Sequence, residues 1–228
     1  MILPLHTSYV YGTLIERYKR FLADVRLDSG DVVTAHCPNP GRMLTCSAPG
    51  SRVRLSVFND GKRKYPHRLD LVHNGQCWIG VNPNLANQII GAAIEQGHLF
   101  SNYAPNKWKR EVAYAEKHRI DFLYHDNEIT HFVEVKSVTY AEDGVGYFPD
   151  AVSKRARDHL TALEGVIKSG AKASIIYCIQ RPDVEEVLPA RHIDPNYADA
   201  FDAAMKTGVS CIAFPIRFND AGDGVFLT

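Results

Sequence analysis

The hydrophobic period of this chain changes once, near Pro83, and the change limits what can fold on either side of it. From Gly12 to Val81 the apolar residues fall in short strand-like runs, TLIERYKRFLADVRL, VVTAHC, SRVRLSVF, HRLDLVH and CWIGV. Turn clusters such as DSGD, NPGR, NDGK and NGQ separate them, the pattern of antiparallel strands joined by tight turns. From Asn84 the spacing is helical: in NLANQIIGAAIEQG, Leu85, Ile89, Ile90 and Ile94 share one stripe and Gly97 stands at its end. Beyond it come REVAYAE, RIDFLYH and ITHFVEVKSVT, an interrupted YAEDGVGY, a helix over about 149–169, the strand KASIIYCIQ, a helix near 197–206 and the strand GVSCIAFPIRF.

The first region predicts a small all-β module, a sandwich or a five-stranded barrel, of which the OB fold is a common form. The second predicts an α/β domain, a mixed sheet with helices on its faces. The expected division is 1–83 and 84–228. The net charge is zero, yet residues 1–83 carry 11 Lys and Arg against 6 Asp and Glu, and residues 84–228 carry 15 against 20. A basic module joined to an acidic one suits a polyanion-binding part and a cation-binding part, and solvated surface charge produces the same numbers. The five cysteines are scattered without Cys-x-x-Cys spacing, which predicts reduced thiols rather than a disulfide framework or a zinc site. No apolar run approaches the length of a membrane span. The expectation is a soluble, cytoplasmic protein with no membrane partner; its oligomeric state is open, a homodimer included.

One stretch carries chemistry. In RIDFLYHDNEITHFVEVKSVT, Glu134 and Lys136 are two apart on a strand and project to one side, while Val133 and Val135 face the other. A turn through Asp126–Ile129 would bring Asp121 opposite Glu134 or one diagonal step away. Two carboxylates so close raise each other's pKa unless a cation lies between them. Mg2+ or Mn2+ is the natural occupant, since both take oxygen ligands and keep several waters. Lys136 would then hold or acidify one such water beside a phosphate. A solvated hairpin with weak cross-strand pairs gives the same three residues, and both readings stand at this level. The next helix sets Arg155 and His159 at i, i+4 beside the apolar stripe of Val152, Ala156, Leu160 and Leu163, a source of phosphate donors or a solvated face paired with Asp158.

The segments RIDF, VEVKSVT and FPDAVSKRARDHL resemble the PD-(D/E)XK nuclease signature as it occurs in the sugar fermentation stimulation protein family. RYKRFLADV, TAHCPNPGRM, IGVNP, YCIQRPD and HIDPNYADAF resemble that family too, so the similarity runs over essentially the whole chain. It implies an N-terminal OB barrel, a nuclease-like α/β domain, and DNA-binding character linked to regulation of sugar (maltose) metabolism. It further implies that Asp121 and Glu134 are metal-binding acids, that Val135 adds a backbone carbonyl, and that Lys136 positions the attacking water. Arg155 and His159 would lie near the phosphates, with Gln180 a weaker candidate. One departure stands out: where the family's first helix reads Glu-Ala-Ile, this chain has Ala92-Ala93-Ile94, and Glu95 or Glu111 is left to substitute for the missing acid.

In the first module Arg17, Lys19, Arg20, Arg52, Arg54 and the run Lys62-Arg63-Lys64 alternate with Tyr18, Phe21, Phe58 and Tyr65. Bases stack on exposed aromatics while Lys and Arg neutralise phosphates. Phe21 and Phe58, inside strand-like runs, are expected in the core, and Tyr65 beside the basic turn is the expected stacking residue. AHCPNPGRM reads as turn chemistry around Pro38, Pro40 and Gly41, over a thiol nucleophile or zinc ligand. The expected function is a nucleic-acid-binding protein, DNA before RNA, with a metal-dependent phosphodiesterase site. The alternative is a DNA-binding regulator that keeps the nuclease fold as a silent scaffold.

Overall fold

The computed structural model describes residues 1–115 and 118–228. After β1 (Leu3–Pro4), five strands build the barrel: β2 (Tyr9–Tyr18), β3 (Leu22–Leu27), β4 (Val32–His36), β5 (Arg52–Val57) and β6 (His67–His73). They pair in the order β4-β3-β2-β5-β6, and a parallel contact between His36 and Arg68 closes β4 onto β6. A short β7 (Trp78–Gly80) adds to β6. Alternate residues turn inward, so Leu14, Val25, Val53, Leu55, Leu69 and Ile79 fill the barrel. Of the sandwich and the barrel that the runs left open, the barrel forms, and it is the OB fold that the resemblance implies. The run TLIERYKRFLADVRL, continuous in sequence, is two strands joined at Lys19-Arg20.

The helix α1 (Pro83–Glu95) opens the second domain, with Asn82 capping it by accepting from the N–H of Asn84. Its buried face carries Leu85, Ile89, Ile90 and Ile94; each buried aliphatic side chain stabilises the docking by about 1.5–3 kcal/mol. Next come β8 (Trp108–Ala115), β9 (His118–His125), β10 (Thr130–Val138), β11 (Tyr140–Glu142) and β12 (Val145–Phe148). The chain ends with α2 (Lys154–Lys168), β13 (Lys172–Ile179), β14 (Glu186–Pro189), α3 (Pro195–Thr207), β15 (Ser210–Phe218) and β16 (Gly224–Leu227). The last residue of the REVAYAE run, Glu116, lies outside the described residues.

The main sheet has seven strands in the order β1-β16-β15-β13-β10-β9-β8, with β10, β13 and β15 parallel. α1 packs on one face against Phe122, Val133, Val135 and Ile176. α2 and α3 cover the other, over Ile120, Val138, Ile175 and Tyr177. The interrupted YAEDGVGY is a hairpin, β11 and β12, in a small sheet with β14. α2 starts five residues later than the periodicity predicts, because Ser153 caps it by accepting from Ala156 N–H. Residues 1–5 depart from the division at 83: β1 pairs with β16, Leu3 opposite Val225, and so belongs to the second domain's sheet.

The two domains are bonded to each other. Gly80 N donates to Gln180 O, Trp78 Nε1 to Asp220 O, and Arg181 Nη1 to Thr45 Oγ1. Leu71 and Trp78 of the barrel share one apolar cluster with Phe218 and Val225. Among the described residues no helix is long and apolar enough to cross a membrane.

Candidate active site in the cleft between the two domains

β9 and β10 pair from Thr130 opposite His125 to Val133 opposite Phe122, and there the ladder stops. The turn is set by Asp126, whose Oδ1 accepts from the N–H groups of Glu128 and Ile129. Past Phe122 the strands part, and β8 is bulged beside β9, with Glu111 at φ 53°. Asp121 stands in the fork. Its Oδ2 accepts from Val135 N–H at 2.7 Å, as a partner strand's carbonyl would, and its Oδ1 accepts from Asn87 Nδ2 of α1 at 2.7 Å.

Glu134 turns to the other side, toward α2. Its Oε1 accepts from Lys136 Nζ at 2.6 Å and bonds His159 Nδ1. Arg155 Nε lies 3.4 Å from His159 Nε2; a donor at Nε2 assigns the imidazole proton to Nδ1, which donates to Glu134. Both known partners therefore use one oxygen. Oε2 is buried and has no hydrogen-bond partner among the described residues.

Burial pushes both carboxylates up, and their neighbours then separate them. Asp121 is pushed up to about 6, by desolvation first and by the Glu134 charge second, against the opposing N–H of Val135, Lys136 and Asn87. For Glu134 desolvation also raises the pKa, but the Lys136 charge and the His159 bond outweigh it and hold the group below its usual value.

Asp121, Glu134, Val135 and Lys136 border a cleft of about 460 Å³ walled by both domains. The barrel supplies Arg20 and the loop Asn39-Pro40-Gly41; the second domain adds Asn84 and Asn87 from α1, the segment 148–153, and Arg155. Two hydrogen bonds hold the Asn39 loop: Asn39 Oδ1 accepts from Gly41 N–H, and Asp150 Oδ2 accepts from Met43 N–H. A β-carbon at Gly41 would collide with the Asp150 carboxylate and displace it from its bond to Met43 N–H. The AHCPNPGRM reading as turn chemistry fits. Cys37 is buried against the Met43 sulfur, and burial pushes Cys46 up to about 12.

Several sequence-predicted residues sit elsewhere or are otherwise engaged. Arg17 spends its guanidinium on the carbonyls of Asn39, Gly41 and Arg42. Lys62, Arg63 and Lys64 lie on the β5–β6 turn and border no part of the cleft. Arg63 pairs with Asp60 and stacks on Phe58 at 3.8 Å, and Tyr65 is half-buried beside Lys64. Arg52 pairs with Asp28, and Arg54 is fully buried over Tyr9. His159 is buried at Glu134 and Arg155 is exposed at the cleft wall. Gln180 is buried at the domain junction, bonded to Ser137.

The helix residue that reaches Asp121 is Asn87. Ala92, five residues on, is packed in the α1 core. Neither substitute acid comes near: Glu95 pairs with Arg110 at the surface, and the exposed Glu111 offers its carbonyl to Arg119. The signal for Asn87 was in the sequence, since Asn84 and Asn87 at i, i+3 lie off the apolar stripe. Among the described residues no group of three His, Cys, Asp or Glu gathers to hold a metal.

Two family models match the chain: "SfsA N-terminal OB domain" over residues 15–81 and "Sugar fermentation stimulation protein RE domain" over residues 84–222. A sugar fermentation stimulation protein homolog of Thioalkalivibrio sulfidiphilus is 45% identical over 207 residues, 90% of this chain and 87% of the relative. One of Desulfotalea psychrophila is 40% identical over 201 residues, 88% and 85% respectively. A solved structure described as that of "Pyrococcus Furiosus SfsA in complex with Ca2+" superposes with a TM-score of 0.88 at 22% identity, covering 99% of this chain and 95% of that one.

Proposed function

This chain belongs to the sugar fermentation stimulation protein family, and from that premise we propose that it binds nucleic acid, DNA foremost, and hydrolyses a phosphodiester in the inter-domain cleft with a divalent ion. The observation that carries the reading is the pair of unlike carboxylates: Asp121, raised to about 6, and Glu134, with a buried oxygen lacking a partner, border one open cleft. A cation relieves both conditions at once, by favouring ionised Asp121 and by satisfying Oε2. Two carboxylates and the Val135 carbonyl would supply three oxygen ligands and leave about half of a six-ligand shell to water, which suits Mg2+ or Mn2+ better than an ion needing a full protein cage. The Ca2+ named with the Pyrococcus furiosus structure supports a hard divalent ion.

When bound, such an ion polarises the phosphoryl oxygens and lowers the pKa of a coordinated water. The chain's own residues do the rest. Lys136, held by Glu134 Oε1, sets a positive charge where charge develops on the phosphate. His159 and Arg155 fix the Glu134 rotamer from behind. The first turns of α1 and α2 both border the cleft, and helix N-termini favour anions.

A second reading, a silent DNA-binding regulator of sugar metabolism, is favoured by Asn87, which adds no charge beside Asp121, and by Lys136, which already gives Glu134 a cation from the chain itself while His159 bonds the same carboxylate oxygen. The deciding assay incubates purified protein with labelled single- and double-stranded DNA and RNA in Mg2+, Mn2+ or chelator. Metal-dependent cleavage that chelator stops supports the first reading; binding without cleavage under every condition supports the second.

A further inference from the structure

The cleft continues into a second groove of about 440 Å³ that holds cations and no acid. Arg17, Lys19, Arg20 and Arg42 line it, and Arg20, Pro40 and Gly41 border both cavities. Among the described residues Lys19, Arg20 and Arg42 have no carboxylate within ion-pair distance. The path therefore runs from a patch of unpaired positive charge to the Asp121–Glu134 pair.

The turn carrying two of those cations is strained. Lys19 and Arg20 have φ of 49° and 63°, the left-handed region that Gly and Asn occupy readily and that is costly for other residues. Such cost persists where the surrounding structure enforces it, and an observed outlier is a fair starting point for function. The turn also aims two long cationic side chains away from the barrel, both exposed. Aromatic residues flank it: Tyr18 lines the groove, and Phe21, which the alternation assigns to the core, is 44% exposed. Across the groove stands Val152, 66% exposed. A single exposed apolar residue is ordinary, but Phe21, which itself lines neither cavity, directly follows Arg20, which borders both.

We propose that this groove is the channel for one unpaired nucleic-acid strand, its phosphates on Lys19, Arg20 and Arg42 and a base stacked on Phe21, leading the strand toward Asp121 and Glu134. Only an unpaired strand presents base faces to an aromatic side chain; a duplex offers phosphates and groove edges. The inference rests on the nucleic-acid half of the function proposed above.

The test measures binding of the full-length protein, in chelator, to a labelled oligothymidylate of about 16 nucleotides and to a duplex of equal length. Phe21→Ala should weaken single-strand binding about tenfold, leave duplex binding unchanged, and keep the melting temperature of the parent because the side chain is exposed. Arg20→Asn, which tolerates the left-handed turn, should flatten the slope of log affinity against log salt for the single strand by about 0.7. Phe21→Ala equal to the parent on the single strand, or an equal loss on both forms, overturns the channel. Failure of the parent to cleave with Mn2+ would sink the phosphodiesterase reading and leave the channel standing. Failure to bind either form sinks both.

Discussion

The barrel presents two basic turns, and only one borders the inter-domain cleft. Lys62-Arg63-Lys64 is the densest positive run in the chain, yet Asp60 takes both the Lys62 N–H and the Arg63 guanidinium, and Arg63 lies on Phe58. Lys19-Arg20 carries fewer charges, but they are unpaired among the described residues and Arg20 borders the cavity that holds Asp121 and Glu134. Charge density along a sequence measures how many cations are present. Where a polyanion is held depends on which cations lack acids and what they adjoin.

The comparison breaks first at the acids. Asp121→Asn and Glu134→Gln should each reduce metal-dependent cleavage by on the order of a thousandfold, about 4 kcal/mol, whereas neutralising Lys62, Arg63 and Lys64 together should leave the cleavage rate at saturating substrate unchanged. Equal losses from both sets would dissolve the distinction between the two turns. Lys136→Ala should cost about a hundredfold, roughly 2.7 kcal/mol, with metal binding retained. If the cluster is only structural, the same change should instead lower stability by about 3–5 kcal/mol, because Glu134 is left buried and uncompensated. Melting and activity of that one variant separate the cases.

A pH effect comes next in size. The Asp121 pKa is raised in the folded protein, so its protonated form favours folding; that contribution is complete below about 4 and is lost as pH rises through about 6. Metal-free Asp121→Asn should therefore exceed the parent in stability by about 1–3 kcal/mol at pH 8 and match it near pH 4. Denaturant unfolding at the two pH values checks the sign. Metal affinity should run the other way, weakening as pH falls through about 6, since the ligand must be ionised. Asn87→Asp should tighten Mn2+ binding, whereas Ala92→Glu should destabilise by about 1–3 kcal/mol through overpacking of the α1 core. Smallest of all, charge removal at Lys19 and Arg20 should change the salt slope of DNA binding by about 0.7–0.9 per contact, more than the same number of changes at the Lys62 turn.

Much of this was legible in the residues. The change of period at Pro83 is the helix boundary, since Asn82 and Pro83 supply a cap and a first turn. The Asp126 turn sets the register that brings Asp121 level with Glu134. What was hidden had a physical cause each time. The Lys19-Arg20 turn has no Gly, Asn or Pro to mark it, so one run conceals two strands and an exposed Phe21. Asn87 rather than Ala92 meets Asp121 because α1 enters the cleft by its first two turns. The start of α2 is delayed because 149–152 borders the cleft instead of extending the helix. β1 joins the far sheet by two residues, too few to carry a periodicity.

The central claim is that Asp121 and Glu134 together hold a divalent ion, and the most direct test is thermal unfolding of parent and Glu134→Gln at pH 8 with and without Mn2+. A ligand at a hundredfold excess over Kd stabilises by about 2.7 kcal/mol, and each kcal/mol moves Tm by roughly 2–4 °C in a protein of this size. The parent should therefore melt several degrees higher with Mn2+, and the variant should not respond. An equal shift in both proteins, or none in the parent, would contradict the assignment.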